Sequence, residues 1–306
     1  MSQRIVFMGT PEFSVSALKS LVNSNHKVLA VYSQPANKAH RGQKIIPSSV
    51  ELFAKKCSLH LRTPVILDND EEYNFLKSLK PDIVIVIAYG KIIPKRFFNL
   101  AKYGFINVHA SLLPKWRGAA PIQRSIMNLD NQTGISIMKI VEELDAGPVM
   151  HQDKIEINEK IDTLTLSKVL SKLGANSILN AINKIEKGEA RFKEQNHSEA
   201  TYAKKISKEE GRINWNQSAK KVLAKINGLN PNPGAWFEYQ NERYKVWKAE
   251  IVTKSGNAGK IIDDQITIAC KEQSIKIIEI QKEGKSRQLI KKFLLGNKIK
   301  QGETIN

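Results

Sequence analysis

Residues 103–121 read YGFINVHASLLPKWRGAAP, and this segment gives the strongest indication of the fold. Its first six residues, 103–108, are mostly apolar and predict a short buried strand. An amide lies near the end of this strand, and an imidazole, a hydroxyl and two prolines follow it. Because open α/β sheets bind ligands at the carboxyl ends of their strands, the segment predicts a ligand site at such an edge.

The chain on either side of this segment has the alternation of strands and helices that a doubly wound sheet requires. Residues 82–88 (DIVIVIA) form a continuous β-branched run, typical of a strand buried on both faces. The predicted strands are 5–8, 28–32, 82–88, 103–108 and 134–141. Helical spacing of apolar residues follows the first strand and recurs over 163–187. The N-terminal part is therefore predicted to be an α/β domain with a doubly wound, mostly parallel sheet.

The C-terminal third has a different pattern. After a short helix at 218–229 and the turn sequence NPNPG, short alternating runs are separated by turn residues. The predicted strands are 235–239, 243–252, 259–262, 265–271 and 274–281. This spacing predicts a small, OB-like β-barrel. The predicted domains are 1–189 and 210–306, joined by a polar linker over 190–209, and residues 33–48 are predicted to be a long basic surface loop.

Positive charge is concentrated in the C-terminal third. The chain has 48 Lys and Arg against 30 Asp and Glu, a net charge of +18. Residues 201–306 hold 21 basic and 11 acidic side chains, a net charge of +10 in about a third of the length. Such an excess has two explanations, a lysine-rich solvated surface or a nucleic-acid partner, and its concentration in one segment favours RNA binding.

The candidate catalytic residues are Asn107, His109 and Asp145. Asn107 and His109 are two residues apart on a predicted strand, so their side chains share a face. Asp145 lies in a polar turn, ELDAGP, that follows the next strand. An amide can donate to an oxyanion, an imidazole moves protons near neutral pH, and a carboxylate orients the imidazole. Each has a structural alternative: Asn107 and Asp145 could be ordinary turn residues.

Other functional classes have no motif in the sequence. The Gly-Thr-Pro after the first strand is not a dinucleotide-binding fingerprint, and no HExxH, CxxC or Walker sequence is present. No metal is therefore expected. Two cysteines far apart, no long apolar run and no signal-peptide pattern predict a reduced, cytoplasmic protein without a membrane segment. Nothing in the sequence indicates an obligate dimer, so a monomer is expected.

The sequence NVHASLLPKWRGAAPIQRSI, with the later ELDAGPV, resembles the methionyl-tRNA formyltransferase family. The resemblance extends over nearly the whole chain: GTPEF, QPANKAHRGQK, VIAYGKIIP, ISKEEGRINW and NPNPGAWF. It implies a formyl-folate-binding catalytic domain followed by an OB-like tRNA-binding domain. It also implies transfer of a formyl group from 10-formyltetrahydrofolate, a co-substrate, to the α-amine of initiator methionyl-tRNA during translation initiation.

The resemblance also implies roles for individual residues. By matched position, the catalytic roles fall on Asn107, His109 and Asp145. The folate contacts would be Ser111, Leu112, Leu113 and Pro114, with Tyr89 and Gly90 nearby. The basic loop around Arg41, with Lys38 and Lys44, would contact the tRNA acceptor end. Here the loop reads HRGQ at 40–43, a less dense basic run than relatives often carry.

Two other functions remain open from the sequence. One is formyl transfer to a small amine, such as a purine-pathway ribotide or an amino sugar, which the N-terminal motifs alone would also fit. The basic loop and the basic C-terminal domain argue against it. The other is an RNA-binding protein with an inactive α/β domain, and the complete set of Asn107, His109 and Asp145 argues against that.

Overall fold

The computed structural model describes residues 2–39, 44–297 and 299–305. The chain divides into two compact units, each assembled from several segments. Unit 1 comprises residues 1–118, 134–155 and 167–202, and unit 2 comprises 119–133, 156–166 and 203–306. Residues 119–133 and 156–166 precede the predicted linker in the chain yet belong to unit 2. The functional division at 190–209 stays a prediction.

Unit 1 is organised around a mostly parallel sheet. Within the described residues its strand order is β10-β9-β7-β6-β1-β2-β5, with β9 antiparallel to β7. The strands are β1 Arg4–Gly9, β2 Lys27–Tyr32, β5 Leu61–Arg62, β6 Ile83–Ile87, β7 Phe105–His109, β9 Gln132–Lys139 and β10 Val149–Glu156. Strand β6 is fully buried, as its continuous β-branched sequence predicts.

The order of these strands creates the ligand-binding edge. The chain runs from β1 to β2 and β5 on one side and then returns to β6 and β7 on the other. The reversal lies between β1 and β6, where crevices form at the carboxyl ends of doubly wound sheets. The predicted α/β architecture is confirmed.

The helices before residue 187 are α1 Glu12–Val22, α2 Ser49–Lys56, α3 Asp70–Leu79, α4 Pro121–Met127 and α5 Thr163–Glu186, with a 3-10 helix at Lys95–Leu100. Of these, α4 lies in unit 2.

The segment predicted as a long loop over 33–48 contains short strands. β3 Asn37–Ala39 pairs antiparallel with β4 Lys44–Ile46. The prediction of a stretch without regular structure was therefore wrong at these positions, because backbone pairing there needs no alternating apolar pattern. Two-residue strands also occur at β8 Arg117–Gly118 and β11 Tyr202–Ala203.

Unit 2 contains a curled antiparallel sheet, half of a barrel, as predicted for the C-terminal region. Its strands are β12 Ala235–Tyr239, β13 Glu242–Val252, β14 Thr267–Ala269, β15 Ser274–Lys282 and β16 Gln288–Leu289. Register shifts near Lys248 interrupt the pairing of the long β13 with β15. Irregularities of this kind bend a strand, which helps the sheet to curl.

Helices complete unit 2. α6 Ala219–Gly228 begins at Ser218, whose hydroxyl accepts a hydrogen bond from the Lys221 amide, and α7 spans Ile290–Leu294. α6 packs against α4. At Gly228 an added Cβ would lie 2.6 Å from Met127 Cγ, so the absence of a side chain permits this close approach.

Candidate functional site

Strand β7 brings Asn107 and His109 to the carboxyl edge of the sheet. Asn107 lies opposite Val86 on β6, and His109 lies opposite Ser136 on β9. Asp145 reaches them from the turn after β9. Its carboxylate oxygens lie 3.4 Å from Asn107 Nδ2 and 3.6 Å from His109 Nδ1. The His109 side chain is 6% exposed and the Asp145 side chain 12%, and both lie beside the half-buried Asn107, so the three predicted catalytic side chains form one cluster.

The carboxylate of Asp145 is oriented by the backbone as well as by these side chains. The amide N–H of Gly118 donates to Asp145 Oδ2 at 2.8 Å. Asp145 itself has a φ of +50°, in the left-handed region that aspartate tolerates better than most residues. Backbone strain of this kind is concentrated at functional sites, where surrounding contacts enforce it. The turn therefore aims the carboxylate at the imidazole.

His109 has a partner at each ring nitrogen. Nε2 lies 2.9 Å from the carbonyl oxygen of Trp116, and Nδ1 faces Asp145. A carbonyl oxygen only accepts hydrogen bonds, so Nε2 carries a hydrogen in this arrangement. A second proton on Nδ1 would lie beside the carboxylate, where its positive charge is compensated. The site can thus hold an imidazolium ion whose Nε2 hydrogen points at an acceptor oxygen, which is the Trp116 carbonyl oxygen in this structure.

The segment Ser111–Pro114 follows this cluster and is held by neighbouring strands. Ser136 accepts a hydrogen bond from the Leu113 amide at 3.0 Å and donates to the Ser111 carbonyl at 2.7 Å. Gln152 donates to the Leu113 carbonyl at 2.8 Å. The Leu113 amide is therefore used within the protein, whereas Leu112 is partly exposed.

Tyr89 and Gly90 lie at the end of β6, beside the strand reversal. The Tyr89 carbonyl accepts hydrogen bonds from Thr10 Oγ1 at 2.7 Å and Gln34 Nε2 at 3.0 Å. The Tyr89 side chain is 2% exposed, and burial, reinforced by Glu72, raises the pKa of its phenol. Gly90 has a φ of +81°, and an added Cβ would lie 2.1 Å from Gln34 Nε2. Tyr89 therefore contributes its backbone to this edge, whereas its ring packs in the core.

Arg117 is part of the site in a way that the sequence did not reveal. Its side chain is completely buried. Its Nε and Nη2 donate to Gln195 Oε1 at 3.1 and 2.9 Å, and Nη1 donates to Glu143 Oε1 at 3.3 Å. Gln195 lies in the segment predicted as a linker. A separation of 78 residues leaves no local pattern by which this contact could be found.

The predicted tRNA-contacting residues lie around the β3–β4 pair. In its register Lys38 is opposite Ile45, and Lys44 is opposite Ala39. Arg41 lies outside the described residues.

A second candidate surface lies on the sheet of unit 2. Trp236 neighbours the core residue Phe237 on β12, so the indole lies on the other face of the sheet. Trp247 of β13 also packs against cations. We define the tryptophan face by both indoles and four basic residues: Trp236, Trp247, Arg212, Arg243, Lys245 and Arg287.

The cations of the tryptophan face stack on the indoles. The guanidinium of Arg243 lies 3.8 Å from the Trp236 ring centroid, and that of Arg287 lies 5.2 Å from the Trp247 centroid. Lys245 is less available. Its ammonium donates to the Pro233 carbonyl at 2.7 Å, and burial, then the charge of Arg243, lowers its pKa. The indoles are only 7% and 8% exposed, so a polyanion would meet the exposed guanidinium groups that cover them rather than the rings.

The described residues contain no group of His, Cys, Asp or Glu side chains that could hold a metal ion. Over the same residues, no helix has the length and apolar character needed to cross a membrane.

Family profiles match most of the chain. A profile described as "Formyl transferase" covers residues 3–182, and one described as "Formyl transferase, C-terminal domain" covers residues 205–298. A methionyl-tRNA formyltransferase of Pelagibacter ubique (strain HTCC1062) is 52% identical over 307 residues, which are 100% of this chain and 99% of that protein. The methionyl-tRNA formyltransferase of Thermodesulfovibrio yellowstonii (strain ATCC 51303 / DSM 11347 / YP87) is 41% identical, covering 99% and 98%.

Solved structures share the fold at lower identity. HypX from Aquifex aeolicus in complex with tetrahydrofolic acid superposes with a TM-score of 0.68 at 19% identity, over 96% of this chain and 47% of HypX. This chain therefore spans about half the length of that protein. An N-formyltransferase from Helicobacter canadensis, in complex with folinic acid and dTDP-3-aminofucose, gives 0.69 at 18% identity, over 92% of this chain and 100% of that one.

Proposed function

This chain belongs to the methionyl-tRNA formyltransferase family, and from that premise we propose how it formylates the α-amine of methionyl initiator tRNA with 10-formyltetrahydrofolate. The observation that carries the proposal is the cluster of Asn107, His109 and Asp145 at the carboxyl edge of the sheet. It combines an amide donor, an imidazole and a carboxylate within hydrogen-bonding reach or close to it. An oxyanion donor and groups that move protons accelerate acyl transfer to an amine.

The reaction is a displacement at the formyl carbon. The neutral α-amine attacks this carbon, and the carbonyl becomes an oxyanion. Collapse of the tetrahedral intermediate breaks the bond between the formyl carbon and folate N10. The amine loses one proton and N10 gains one, so the products are N-formylmethionyl-tRNA and tetrahydrofolate. No net proton, water or oxidant is required.

The cluster can serve both the oxyanion and the protons. In this proposal the formyl oxygen takes the hydrogen bond from His109 Nε2 that the Trp116 carbonyl accepts in the structure. Asn107 supplies a second donor from the same strand, and Asp145 compensates the charge of the imidazolium. Preorganised donors of this kind stabilise an oxyanion more than mobile water does. While the ring is neutral, His109 Nδ1 beside Asp145 can receive the amine proton, and this uptake produces the imidazolium.

The folate would bind along Ser111, Leu112, Leu113 and Pro114, with the backbone of Tyr89 and Gly90 on the neighbouring strand. The support is their common position at the carboxyl edge of β6 and β7. The bonds from Ser136 to Leu113 and Ser111 hold this edge in one shape. A rigid, partly apolar edge suits a flat heteroaromatic ring.

We assign catalysis to residues 1–189 and tRNA binding chiefly to residues 210–306, with 190–209 between them. The tryptophan face and the net charge of +10 in residues 201–306 support the second assignment. Arg41, Lys38 and Lys44 would add contacts at the acceptor end of the tRNA. A role in translation initiation implies a cytoplasmic enzyme, and we propose that it acts as a monomer.

A formylation assay separates this function from transfer to a small amine. The protein is incubated with 10-formyltetrahydrofolate and either charged initiator tRNA, free methionine or an amino-sugar nucleotide. Blocking of the α-amine on the tRNA, with the other amines unmodified, is the expected result. Formylation of the sugar amine with the tRNA unmodified would reject the proposal. An Arg41→Ala variant should raise the tRNA KM in the same assay.

A further inference from the structure

Gln195 uses all the hydrogen-bonding capacity of its amide to connect the buried Arg117 to the turn that carries Asp145. Its Oε1 accepts from Arg117 Nε at 3.1 Å and from Nη2 at 2.9 Å. Its Nε2 donates to the carbonyls of Asp145 at 2.9 Å and Gly147 at 2.7 Å. Because Nε2 meets carbonyls and Oε1 meets a guanidinium, the amide fits in one orientation. Gln195 is 8% exposed, so little water is available to replace these bonds.

These contacts form a closed ring around Asp145. Gln195 holds the carbonyls on both sides of Ala146, whereas the amide of Gly118, next to Arg117, holds the carboxylate at 2.8 Å. Backbone and side chain of Asp145 are therefore both held by hydrogen bonds of this ring. The turn is also confined, since a Cβ on Gly147 would lie 1.9 Å from the Lys139 carbonyl.

Burial of the charged Arg117 side chain costs desolvation free energy. Its side chain is fully buried, and the carboxylate bonded to it belongs to Glu143, which is 59% exposed. A buried ion pair is weak support for stability, because desolvation offsets much of the attraction. Hydrogen bonds that fix the groups around a reacting site, in contrast, can have large effects on turnover.

We propose that Gln195 and Arg117 are positioning residues for the reaction: they hold the Asp145 turn so that its carboxylate faces His109. Neither side chain needs to touch a substrate. The inference rests on the proposed role of Asp145. It gives a catalytic purpose to the segment that the sequence suggested was only a linker.

The decisive variant is Gln195→Glu, which has the same size and keeps an acceptor for Arg117. It replaces the Nε2 donor by an oxygen that faces the Asp145 and Gly147 carbonyls, so the turn loses its hold. We expect kcat to fall about 10- to 100-fold, as for small misplacements of a catalytic group, with the KM values for folate and tRNA within about threefold. The ¹⁵N NMR signals of the His109 ring, identified by their absence in His109→Ala, should shift.

Ser177→Ala is the matched control. Ser177 is 1% exposed in unit 1, and its hydroxyl lies 2.5 Å from Asp153 Oδ2 and 2.8 Å from the Leu173 carbonyl oxygen, so its removal also costs a buried hydrogen bond. We expect it to lower the melting temperature while kcat and the His109 signals stay as in the wild type. If Gln195→Glu fails to fold, Arg117→Lys decides, because it keeps the charge and loses the paired bonds to Gln195. It should lower kcat several-fold.

Two results would overturn the inference. One is a folded variant with wild-type kcat and unshifted His109 signals. The other is a higher KM with kcat unchanged, which would indicate a role in substrate binding. Asp145→Asn separates the inference from the proposed function. Loss of turnover in Asp145→Asn with full turnover in Gln195→Glu rejects only the positioning role, whereas full turnover in Asp145→Asn rejects the catalytic role itself.

Discussion

The carboxyl edge of the sheet in unit 1 and the tryptophan face of unit 2 use polar side chains in opposite ways. At the edge, His109 and Asp145 are shielded, and hydrogen bonds with defined partners fix each of them. On the face, Arg243 is 39% exposed, and its ion pair with Glu238 is loose at 3.8 Å. Chemistry on one bond depends on position, whereas binding a polyanion depends on charge density. Substitutions should therefore change kcat at the edge and KM at the face.

The largest expected effect is at the two side chains of β7. Asn107→Ala and His109→Ala should each lower kcat by about 100-fold or more, the scale of one lost oxyanion donor or one lost acid–base group. Steady-state kinetics with both substrates measure this, and the KM for tRNA should hardly change. Near-wild-type turnover in both variants would contradict the assignment of catalysis to the carboxyl edge of the sheet in unit 1.

Asp145→Asn should have a comparable effect, a loss of turnover of about 100-fold or more in kcat. The side chain keeps its size and can still accept from the Gly118 amide, but it no longer compensates an imidazolium. Folate binding, measured by equilibrium titration, should be retained. Loss of folate affinity in step with kcat would show that the carboxylate acts in binding instead.

At the tryptophan face, the double change Arg212→Gln and Arg243→Gln should raise the tRNA KM about fivefold or more, because fewer phosphates are neutralised. kcat at saturating tRNA should stay within a few-fold, since binding is lost equally from ground and transition states. The slope of log K against log salt should flatten by somewhat under one unit for each true phosphate contact. Lys220→Gln is the control, because Lys220 already pairs with Glu159 at 3.0 Å.

A collapse of kcat in the double variant, with KM unchanged, would contradict the proposed division between the two regions. Lys245 is a poor first choice for this experiment. Its ammonium is partly buried and bonded to the Pro233 carbonyl, so its replacement would disturb the fold as well as the charge.

The smallest effect concerns the stability of unit 2 alone. Arg124 donates to both carboxylate oxygens of Glu210, at 2.6 and 3.2 Å, and this bond is the main cause of the lowered pKa of Glu210. Because the pKa of Glu210 is lower in the folded protein, its carboxylate stabilises the fold at pH values above its ordinary pKa of 4.5. This contribution disappears as the pH falls through the lower pKa of the folded state. Glu210→Gln should thus reduce the free energy of unfolding at pH 7 by about 0.5–1 kcal/mol, since partial exposure weakens the pair.

Urea unfolding from pH 7 to pH 3.5 checks this prediction. The wild type and Glu210→Gln should converge as pH falls below 4.5, with kcat at pH 7 equal in both. An unfolding difference that is constant over this range would show that the ionised carboxylate is not responsible.

The sequence predicted those parts of the fold and of the site that depend on a pattern within one short segment. Strand β6 is recognisable because it is buried on both faces, and Asn107 and His109 because they are two residues apart on one strand. The edge strand β10 was not predicted, since its half-exposed sequence VMHQDKIE has no apolar run. Helix α3 was missed as well: its stripe of buried apolar residues is narrow, although Asn69 provides a side-chain cap.

The contacts of Arg117 were beyond prediction for a different reason. An arginine next to a tryptophan and a glycine is expected at the surface, and it is buried here because an amide and a carboxylate from distant segments meet it. Only the folded chain brings these partners together. The same holds for Tyr89, whose ring packs in the core although its backbone lies at the ligand edge.

The packing of α4 against α6 bears on how such an enzyme can be recombined. The two helices are about a hundred residues apart in the chain, on opposite sides of residues 190–209, yet Gly228 and Met127 approach closely within unit 2. A hybrid gene with a single crossover near residue 200 would take α4 from one parent and α6 from the other. Grafting a new tRNA specificity onto this scaffold therefore calls for exchange of residues 119–133 and 156–166 together with the C-terminal region.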